Sequence, residues 1–224
     1  EEFLKGFSGY LTCDGFQGYN RLKDVTRCGC LAHMRRYWYD ALPGKSKKSP
    51  DKTPAEIGFD YCNQLFELEK EYADLDADTR KARRLETEPA IWEAYWSWLE
   101  TVDPAGGSRL AKAVTYAKNQ KPYMENYLLD GRCSISNNIA ENIARPYAVG
   151  RKNFLFHDTV KGARASSIIY SLVETAKLNN LNIYAYLETV LLYMPDYKNE
   201  PEGIEELMPW SDMIQQRCRI ESKS

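Results

Sequence analysis

An α/β fold is first indicated by residues 10–30, which read YLTCDGFQGYNRLKDVTRCGC. Residues 10–13 form a β-like run that ends at the turn pair Asp14 and Gly15, and residues 25–30 form a second β-like run after a short polar, helix-like stretch. A helical pattern follows over residues 33–42. Strand, turn, helix, strand and helix in this order are typical of α/β proteins.

A long helical block interrupts this pattern. It follows a polar linker at residues 45–50, and apolar residues then recur at helical spacing over residues 55–101. A further helix is predicted over residues 109–129, in which Pro122 marks a kink or a boundary between two shorter pieces. Residues 45–135 are therefore predicted to be an all-helical insertion.

Helical patterns return towards the C-terminus. They cover residues 138–148, 163–178 and 183–194, and the apolar residues 152–157 are predicted to be a strand or loop. The predicted domains are accordingly a first core part at 1–44, the helical insertion at 45–135, a second core part at 136–180, and a C-terminal helix and tail at 181–224.

The composition fits a globular chain, because 43% of the 224 residues are hydrophobic and 28% are charged. No apolar run approaches the roughly 18 residues that a membrane-spanning helix needs. Six cysteines are too few for a disulfide scaffold, so a cytoplasmic, reducing setting is expected. Trp92, Trp96 and Trp98 form an aromatic stripe that is interpreted as core packing rather than a base-stacking surface.

The net charge of -2 hides a strong segregation of charge along the chain. Residues 56–103 carry a net charge of -8 and residues 186–224 carry -4, whereas residues 31–52 carry +4. Residues 109–135 and 137–166 carry +3 each. The separation is compatible with a basic side that faces a polyanion and an acidic side that faces solvent, although charge counts alone do not favour this interpretation. The alternative is that the acidic helices are simply solvated.

Histidine and cysteine chemistry has little support. The sequence holds two histidines, His33 and His157, and neither lies in a nucleophile-elbow context, while glycine-rich phosphate loops do not occur. Cys28, Cys30 and His33 are three possible zinc ligands without a clear fourth, so the sequence leaves open whether they bind metal.

Two carboxylates remain as candidates for catalysis. Asp14 follows a predicted strand, and Glu141 lies one turn into a predicted helix, with Arg145 four residues further on. Mg²⁺ prefers oxygen ligands and needs one or two protein carboxylates, and paired ions about 3.5–4 Å apart support phosphodiester chemistry. The alternative roles are a turn-forming Asp-Gly pair for Asp14 and a helix-terminal charge paired with Arg145 for Glu141.

Three ordered blocks carry a family resemblance: residues 11–20, LTCDGFQGYN; residues 30–36, CLAHMRR; and residues 137–153, NNIAENIARPYAVGRKN. Together they resemble the insertion-sequence sixty-six family of bacterial transposases. Residues 162–164, 169–179 and 206–210 also match the family pattern, so the likeness runs from about residue 8 to residue 210.

The resemblance implies a ribonuclease-H-like catalytic core of the Asp-Asp-Glu superfamily, interrupted by a helical insertion. Asp14 would be the second Asp and Glu141 the Glu, and both would be catalytic and metal-binding residues. The implied reaction is cleavage of a DNA strand at insertion-sequence ends and its transfer to target DNA. The implied cofactor is Mg²⁺ or Mn²⁺, with two ions in the full-length parent.

The resemblance also implies double-stranded DNA as partner, at transposon ends and at the target, and a homo-oligomer when DNA is bound. No membrane partner is expected. Basic and polar side chains beside the two carboxylates would contact the anionic backbone of DNA. The residues predicted to do so are His33, Arg35, Arg36, Arg145, Arg151, Lys152, Asn153, Lys161 and Arg164.

Some positions depart from the family pattern. Asn142 stands where the family commonly has Arg, and Leu31 stands where it commonly has Trp. The first Asp lies upstream in relatives and does not occur in this chain, so the chain is expected to be an inactive fragment when alone. Two alternatives stay open: a catalytically silent remnant that binds DNA or dimerises, and a helical interaction domain without a nucleic acid role.

Overall fold

The computed structural model describes residues 4–44, 51–154, 157–198 and 201–220. The described chain is mostly helical and contains a small parallel sheet, which confirms the α/β class. It divides into two compact units, residues 1–140 and residues 141–224.

The first unit contains the sheet. Strands β1 (Gly9–Cys13) and β2 (Val25–Gly29) are parallel, with Gly9 opposite Val25 and Cys13 opposite Gly29. A parallel pair requires a crossover connection, and a single 3₁₀ turn at Gln17–Arg21 provides it. Both strands therefore end at the same edge of the sheet, and the two predicted strands are confirmed.

The two helices predicted over residues 55–101 are confirmed as well. Helix α1 (Leu31–Asp40) follows β2 directly, and α2 (Pro54–Glu71), α3 (Ala77–Glu100) and α4 (Arg109–Met124) come after it. The helix predicted over residues 109–129 ends at Met124, with Pro122 in its last turn, and a 3₁₀ turn at Asn126–Leu129 follows it. The linker predicted at residues 45–50 lies outside the described residues.

Side-chain caps start the helices of this block. The Thr53 hydroxyl accepts a hydrogen bond from Glu56 N, and the Glu56 carboxylate accepts one from Thr53 N at 2.7 Å. Asp76 caps α3 by accepting hydrogen bonds from Asp78 N and Thr79 N, both at 3.0 Å. These bonds satisfy main-chain donors that have no partner inside the helix.

Aromatic residues fill the core of the first unit. Trp92 and Trp96 are buried in it, which confirms their interpretation as core packing. Trp38 donates a hydrogen bond from Nε1 to the Tyr95 hydroxyl at 3.2 Å. A Cβ atom at Gly58 would lie 2.4 Å from the Trp38 ring, so only glycine allows α2 to approach α1 this closely.

A buried arginine connects the helical block to the chain that leaves it. The Arg84 guanidinium contacts both carboxylate oxygens of Glu69 at 2.6 Å. It also donates to the main-chain carbonyls of Tyr127, Asp130 and Cys133 at 3.2, 3.3 and 2.9 Å. Because one side chain bridges α2 to three carbonyls, it fixes the segment that returns from the helical block.

In the described part of the second unit, most residues lie in four helices. Helix α5 (Asn138–Phe154) begins just before the unit boundary, and α6 (Val160–Leu178), α7 (Ile183–Tyr193) and α8 (Asp212–Cys218) follow. Short 3₁₀ turns at Met194–Tyr197 and Ile204–Leu207 lie between α7 and α8. Their core is formed by Ala176, Leu181, Tyr186, Val190, Leu207, Ile214 and Cys218.

One helix end was predicted wrongly. Helix α5 continues through Pro146 to Phe154, so residues 152–154 are helical rather than a strand or loop. A proline within a helix removes one main-chain hydrogen bond and kinks the helix, but the turns beyond it can still form. A short apolar run such as 152–157 does not distinguish a strand from a helix by its pattern alone.

Across the described ranges, no helix combines the length and the apolar character that crossing a membrane would require.

Candidate functional site

Asp14 directly follows β1 and is half-buried. Its Oδ1 atom accepts a hydrogen bond from Phe16 N at 3.0 Å, which is the turn-forming role considered for an Asp-Gly pair. Its main-chain carbonyl accepts a hydrogen bond from Arg27 Nη2 at 3.3 Å. The position at the carboxyl end of a parallel strand is one where α/β proteins commonly bind ligands.

Helix α4 packs against the Asp14 turn. A Cβ atom at Gly15 would lie 3.0 Å from Gln120 Nε2 and 3.1 Å from the Tyr116 ring, so glycine permits this close approach. Burial raises the pKa of Tyr116 well above its ordinary value, and the nearby Cys30 and Asp14 add to the rise. Helix α4 thus forms one wall beside the Asp14 turn.

Arg27 is a site residue that the sequence analysis missed. It is almost fully buried on β2, and its guanidinium lies 4.1 Å from the centre of the Tyr123 ring. It also donates a hydrogen bond to the Asn20 side chain. Together with its bond to the Asp14 carbonyl, these contacts hold the Asp14 turn between β2 and α4. The sequence pattern of residues 25–30 did not show whether the Arg27 side chain is buried or faces solvent, so the sequence analysis could not identify it.

The segment that precedes α5 lies beside the same sheet edge. Thr12 Oγ1 donates a hydrogen bond to the Ser134 carbonyl at 2.9 Å, although 122 positions separate the two residues. Leu31 N donates to the Ile135 carbonyl at 3.0 Å. The chain therefore returns from the helical block to the end of β1 and the start of α1 before α5 begins.

Glu141 lies in the first turn of α5 and is half-buried. It belongs to the second unit, whereas Asp14 belongs to the first, so a shared role for the two carboxylates stays a prediction. Arg145 follows one turn later and is exposed, as are Lys161 and Arg164 in the first turns of α6. Helix α5 also contains three further predicted DNA contacts, Arg151, Lys152 and Asn153. The structure describes only the main chain of these three residues.

Helix α1 carries the other predicted DNA contacts. His33 is half-buried and Arg36 is exposed. Arg35 donates from Nε to Asn63 Oδ1 at 2.6 Å, and its guanidinium lies 4.5 Å from the centre of the Phe59 ring. Arg35 is thus held by α2, whereas Arg36 is open to a ligand. Their roles in DNA binding remain predictions.

The cysteines are all free thiols and all are buried. A hydrogen bond with Cys133 and burial together raise the pKa of Cys28, and the same bond lowers the pKa of Cys133. Within the residues that the structure describes, no three His, Cys, Asp or Glu side chains are grouped so that they could hold a metal ion. A zinc site at Cys28, Cys30 and His33 therefore gains no support.

Comparison with known proteins identifies the family. The family model described as "Transposase IS66 family" matches residues 1–165, and the model described as "IS66 C-terminal element" matches residues 171–210. No solved structure is significantly similar to the chain.

Curated relatives come from Sinorhizobium fredii. Uncharacterized protein y4qI is 32% identical over 221 residues, which cover 93% of this chain and 40% of the relative. Uncharacterized proteins y4hP and y4jD are 26% and 29% identical, and each match covers 94% of this chain. The chain spans about two fifths of the length of these relatives. Since one family model covers most of its length, the chain belongs to the IS66 family of transposases.

Proposed function

We propose that the chain is part of a DNA transposase that cleaves a DNA strand at insertion-sequence ends and transfers it to target DNA, in the bacterial cytoplasm. The match to the transposase family model over residues 1–165 carries this proposal, because the matched region includes both Asp14 and Glu141. The chain spans about two fifths of its relatives, so the reaction is assigned to the longer protein.

The proposed core is ribonuclease-H-like, with Asp14 and Glu141 as two of its catalytic carboxylates. The parallel pair β1 and β2 supports this assignment, since Asp14 follows directly where β1 ends. The hydrogen bonds from Thr12 to Ser134 and from Leu31 to Ile135 also support it. They return the chain to this sheet edge six residues before Glu141.

The two carboxylates are suited to a divalent metal. Both side chains are half-buried oxygen donors, which is the ligand type that Mg²⁺ and Mn²⁺ prefer, and one or two carboxylates are enough for an ion that keeps several waters. Bound metal would activate the attacking oxygen and stabilise the leaving oxygen of the phosphodiester. Arg27 positions Asp14 by fixing its main-chain carbonyl.

Exposed cations would bind the DNA backbone. Arg145, Lys161 and Arg164 are exposed in the second unit, and Arg36 is exposed in the first. Such side chains neutralise phosphates and release condensed counterions, so the affinity falls as the salt concentration rises. Assembly as a homo-oligomer on paired DNA ends is part of the same proposal.

The test uses a longer protein of the relatives' length that contains this chain. We expect Mg²⁺- or Mn²⁺-dependent nicking of insertion-sequence-end DNA, which Asp14→Asn and Glu141→Gln abolish while salt-sensitive DNA binding remains. Asp24→Asn is the matched control, because Asp24 is exposed and has a positive φ that asparagine tolerates. Nicking that survives in both carboxylate variants would refute the catalytic assignment.

The same assay separates the alternatives. Salt-sensitive binding by the longer protein without any nicking would identify a silent DNA-binding remnant. An absence of binding even at low ionic strength would identify a helical interaction domain.

A further inference from the structure

A cavity of about 520 Å³ lies between α1 and α2 in the first unit. Its volume falls within the range of about 300–1,000 Å³ that is common for sites holding one small ligand. The lining combines positive charge, aromatic rings, an amide and a carboxylate, contributed chiefly by Arg35, Arg36, Tyr39, Asn63, Phe66 and Glu67. This mixed lining differs from that of an apolar groove, which would bind a hydrophobic partner.

Arg35, one of the residues that line the cavity, is held in place by residues of α2. Its Nε atom donates to Asn63 Oδ1 at 2.6 Å, which leaves the amide nitrogen of Asn63 as a donor. Its guanidinium also lies 4.5 Å from the Phe59 ring centre and 5.9 Å from the Phe66 ring centre. A fixed guanidinium with two aromatic neighbours loses little conformational freedom when an anion binds.

Tyr39 provides an open aromatic face at the cavity. Its side chain is 60% exposed, although its ring is supported by the Phe59 ring at a centroid distance of 5.8 Å. Arg36 is exposed beside it on the same helix. An exposed aromatic ring next to a guanidinium is a combination that can bind a nucleobase and its phosphate in single-stranded nucleic acid.

We propose that this cavity binds one unpaired nucleotide of the DNA substrate. The base stacks on Tyr39, the phosphate contacts Arg35 and Arg36, and the Asn63 amide and the Glu67 carboxylate face the edge of the base. Asparagine pairs with adenine and glutamate accepts from the amino group of cytosine, so these two side chains can read a base edge. This inference rests on the proposed function, because it takes DNA as the ligand.

The nucleotide must be unpaired for two reasons. In a duplex, stacking covers the faces of the base, so a base that stacks on a side chain has to leave the helix. The cavity also has room for one nucleotide and not for a double helix. Strand ends and distorted junctions, which strand cleavage produces, provide such nucleotides.

The position of the cavity in the chain connects it to the proposed chemistry. Asn138 also lines the cavity and is the first residue of α5, three residues before Glu141. A nucleotide held there therefore contacts the residue at which α5 begins.

The test compares two DNA probes with the full chain. One is a blunt duplex, and the other is the same duplex with a short single-stranded 3′ extension that carries 2-aminopurine. We expect the extended probe to bind about tenfold more tightly, with quenched 2-aminopurine fluorescence, because stacking on an aromatic side chain is a favourable contact for each base. Tyr39→Leu removes the preference and the quenching, and Tyr39→Phe retains both.

Matched controls separate the cavity from general effects. Tyr184→Leu changes another exposed tyrosine, in the second unit, and retains the preference. Arg36→Gln weakens binding of the extended probe, whereas Arg83→Gln, which changes an exposed arginine paired with Glu86, does not. Circular dichroism verifies that all variants are folded.

Each other outcome has a defined meaning. Equal binding of the two probes by the wild-type chain overturns this inference and leaves the proposed function standing. A preference that persists in Tyr39→Leu overturns the assignment to this cavity. Competition by an acidic peptide as strong as that by the extended probe assigns the cavity to a protein partner instead. Failure to bind either probe at low salt overturns both the inference and the proposed DNA binding.

Discussion

Replacing Arg84 with alanine tests how the helical block holds the segment that leads to α5. The Arg84 side chain is 1% exposed and makes five hydrogen bonds, two to Glu69 and three to main-chain carbonyls. Arg84→Ala leaves the Glu69 carboxylate, which is 11% exposed, without its partner. Removing one member of a buried ion pair costs about 3–5 kcal/mol, because the remaining charge stays in a poorly solvated position.

The expected loss can be measured by thermal unfolding. For a chain of this size, each kcal/mol lowers Tm by about 2–4 °C, so Arg84→Ala should lower it by about 6–20 °C. Tryptophan fluorescence mainly reports unfolding of the first unit, which contains Arg84, because four of the five tryptophans lie in that unit and Trp210 lies in the second. The Tm of Arg84→Lys should lie between those of the wild type and Arg84→Ala. Lysine retains the positive charge but lacks the planar guanidinium that binds both carboxylate oxygens of Glu69.

Arg83 provides the matched control for this experiment. It is adjacent in sequence, 51% exposed, and paired with Glu86 at 2.8 Å on the surface of α3. Exposed pairs of this kind contribute about 0–1 kcal/mol, so Arg83→Ala should leave Tm almost unchanged. A loss of less than about 1 kcal/mol for Arg84→Ala, or equal losses for the two variants, would refute the structural role assigned to Arg84.

Three further predictions concern pH, packing and DNA binding. Burial raises the pKa of Glu88 from 4.5 to about 8, so the folded chain keeps a proton that the unfolded chain releases. The free energy of unfolding should therefore fall by about 3–5 kcal/mol between pH 4.5 and 8, and urea unfolding of Glu88→Gln should show no such slope. Gly58→Ala should cost about 1–3 kcal/mol in the same assay because its Cβ would overlap the Trp38 ring, whereas Gly106→Ala, with open space around it, should cost under about 0.5 kcal/mol. Arg164→Gln should reduce the slope of log affinity against log salt by about 0.9 in DNA titrations, and an equal reduction by Lys177→Gln, whose side chain is paired with Glu174, would contradict a specific role for Arg164.

Much of the fold could be predicted because its signals are local. The strand runs around Asp14, the helical spacing of residues 55–101 and the burial of Trp92 and Trp96 all follow from patterns a few residues long. The predicted end of the helix after Pro146 was wrong. A proline shows where a helix is weakened, but it does not show whether the helical turns beyond it form.

Less of the candidate site could be predicted, since its geometry comes from distant residues. The sequence indicated Asp14 at a strand end but not the packing of Gly15 against Tyr116 and Gln120. Arg27 also went unnoticed, because its role depends on Asn20 and Tyr123, which the fold brings to it. The cavity beside Arg36 exists only once α1 and α2 lie side by side.

By itself, the sequence determined the α/β class, the helices that follow the small sheet and membership of the transposase family, because these depend on order and spacing along the chain. Tertiary structure alone decided which charges are buried. The block at residues 56–103 has the composition of a solvated acidic surface, yet Glu88 is buried within it and Arg84 joins Glu69 there. A charged side chain can be buried only where partners satisfy it, and here three of those partners are main-chain carbonyls more than 40 residues away.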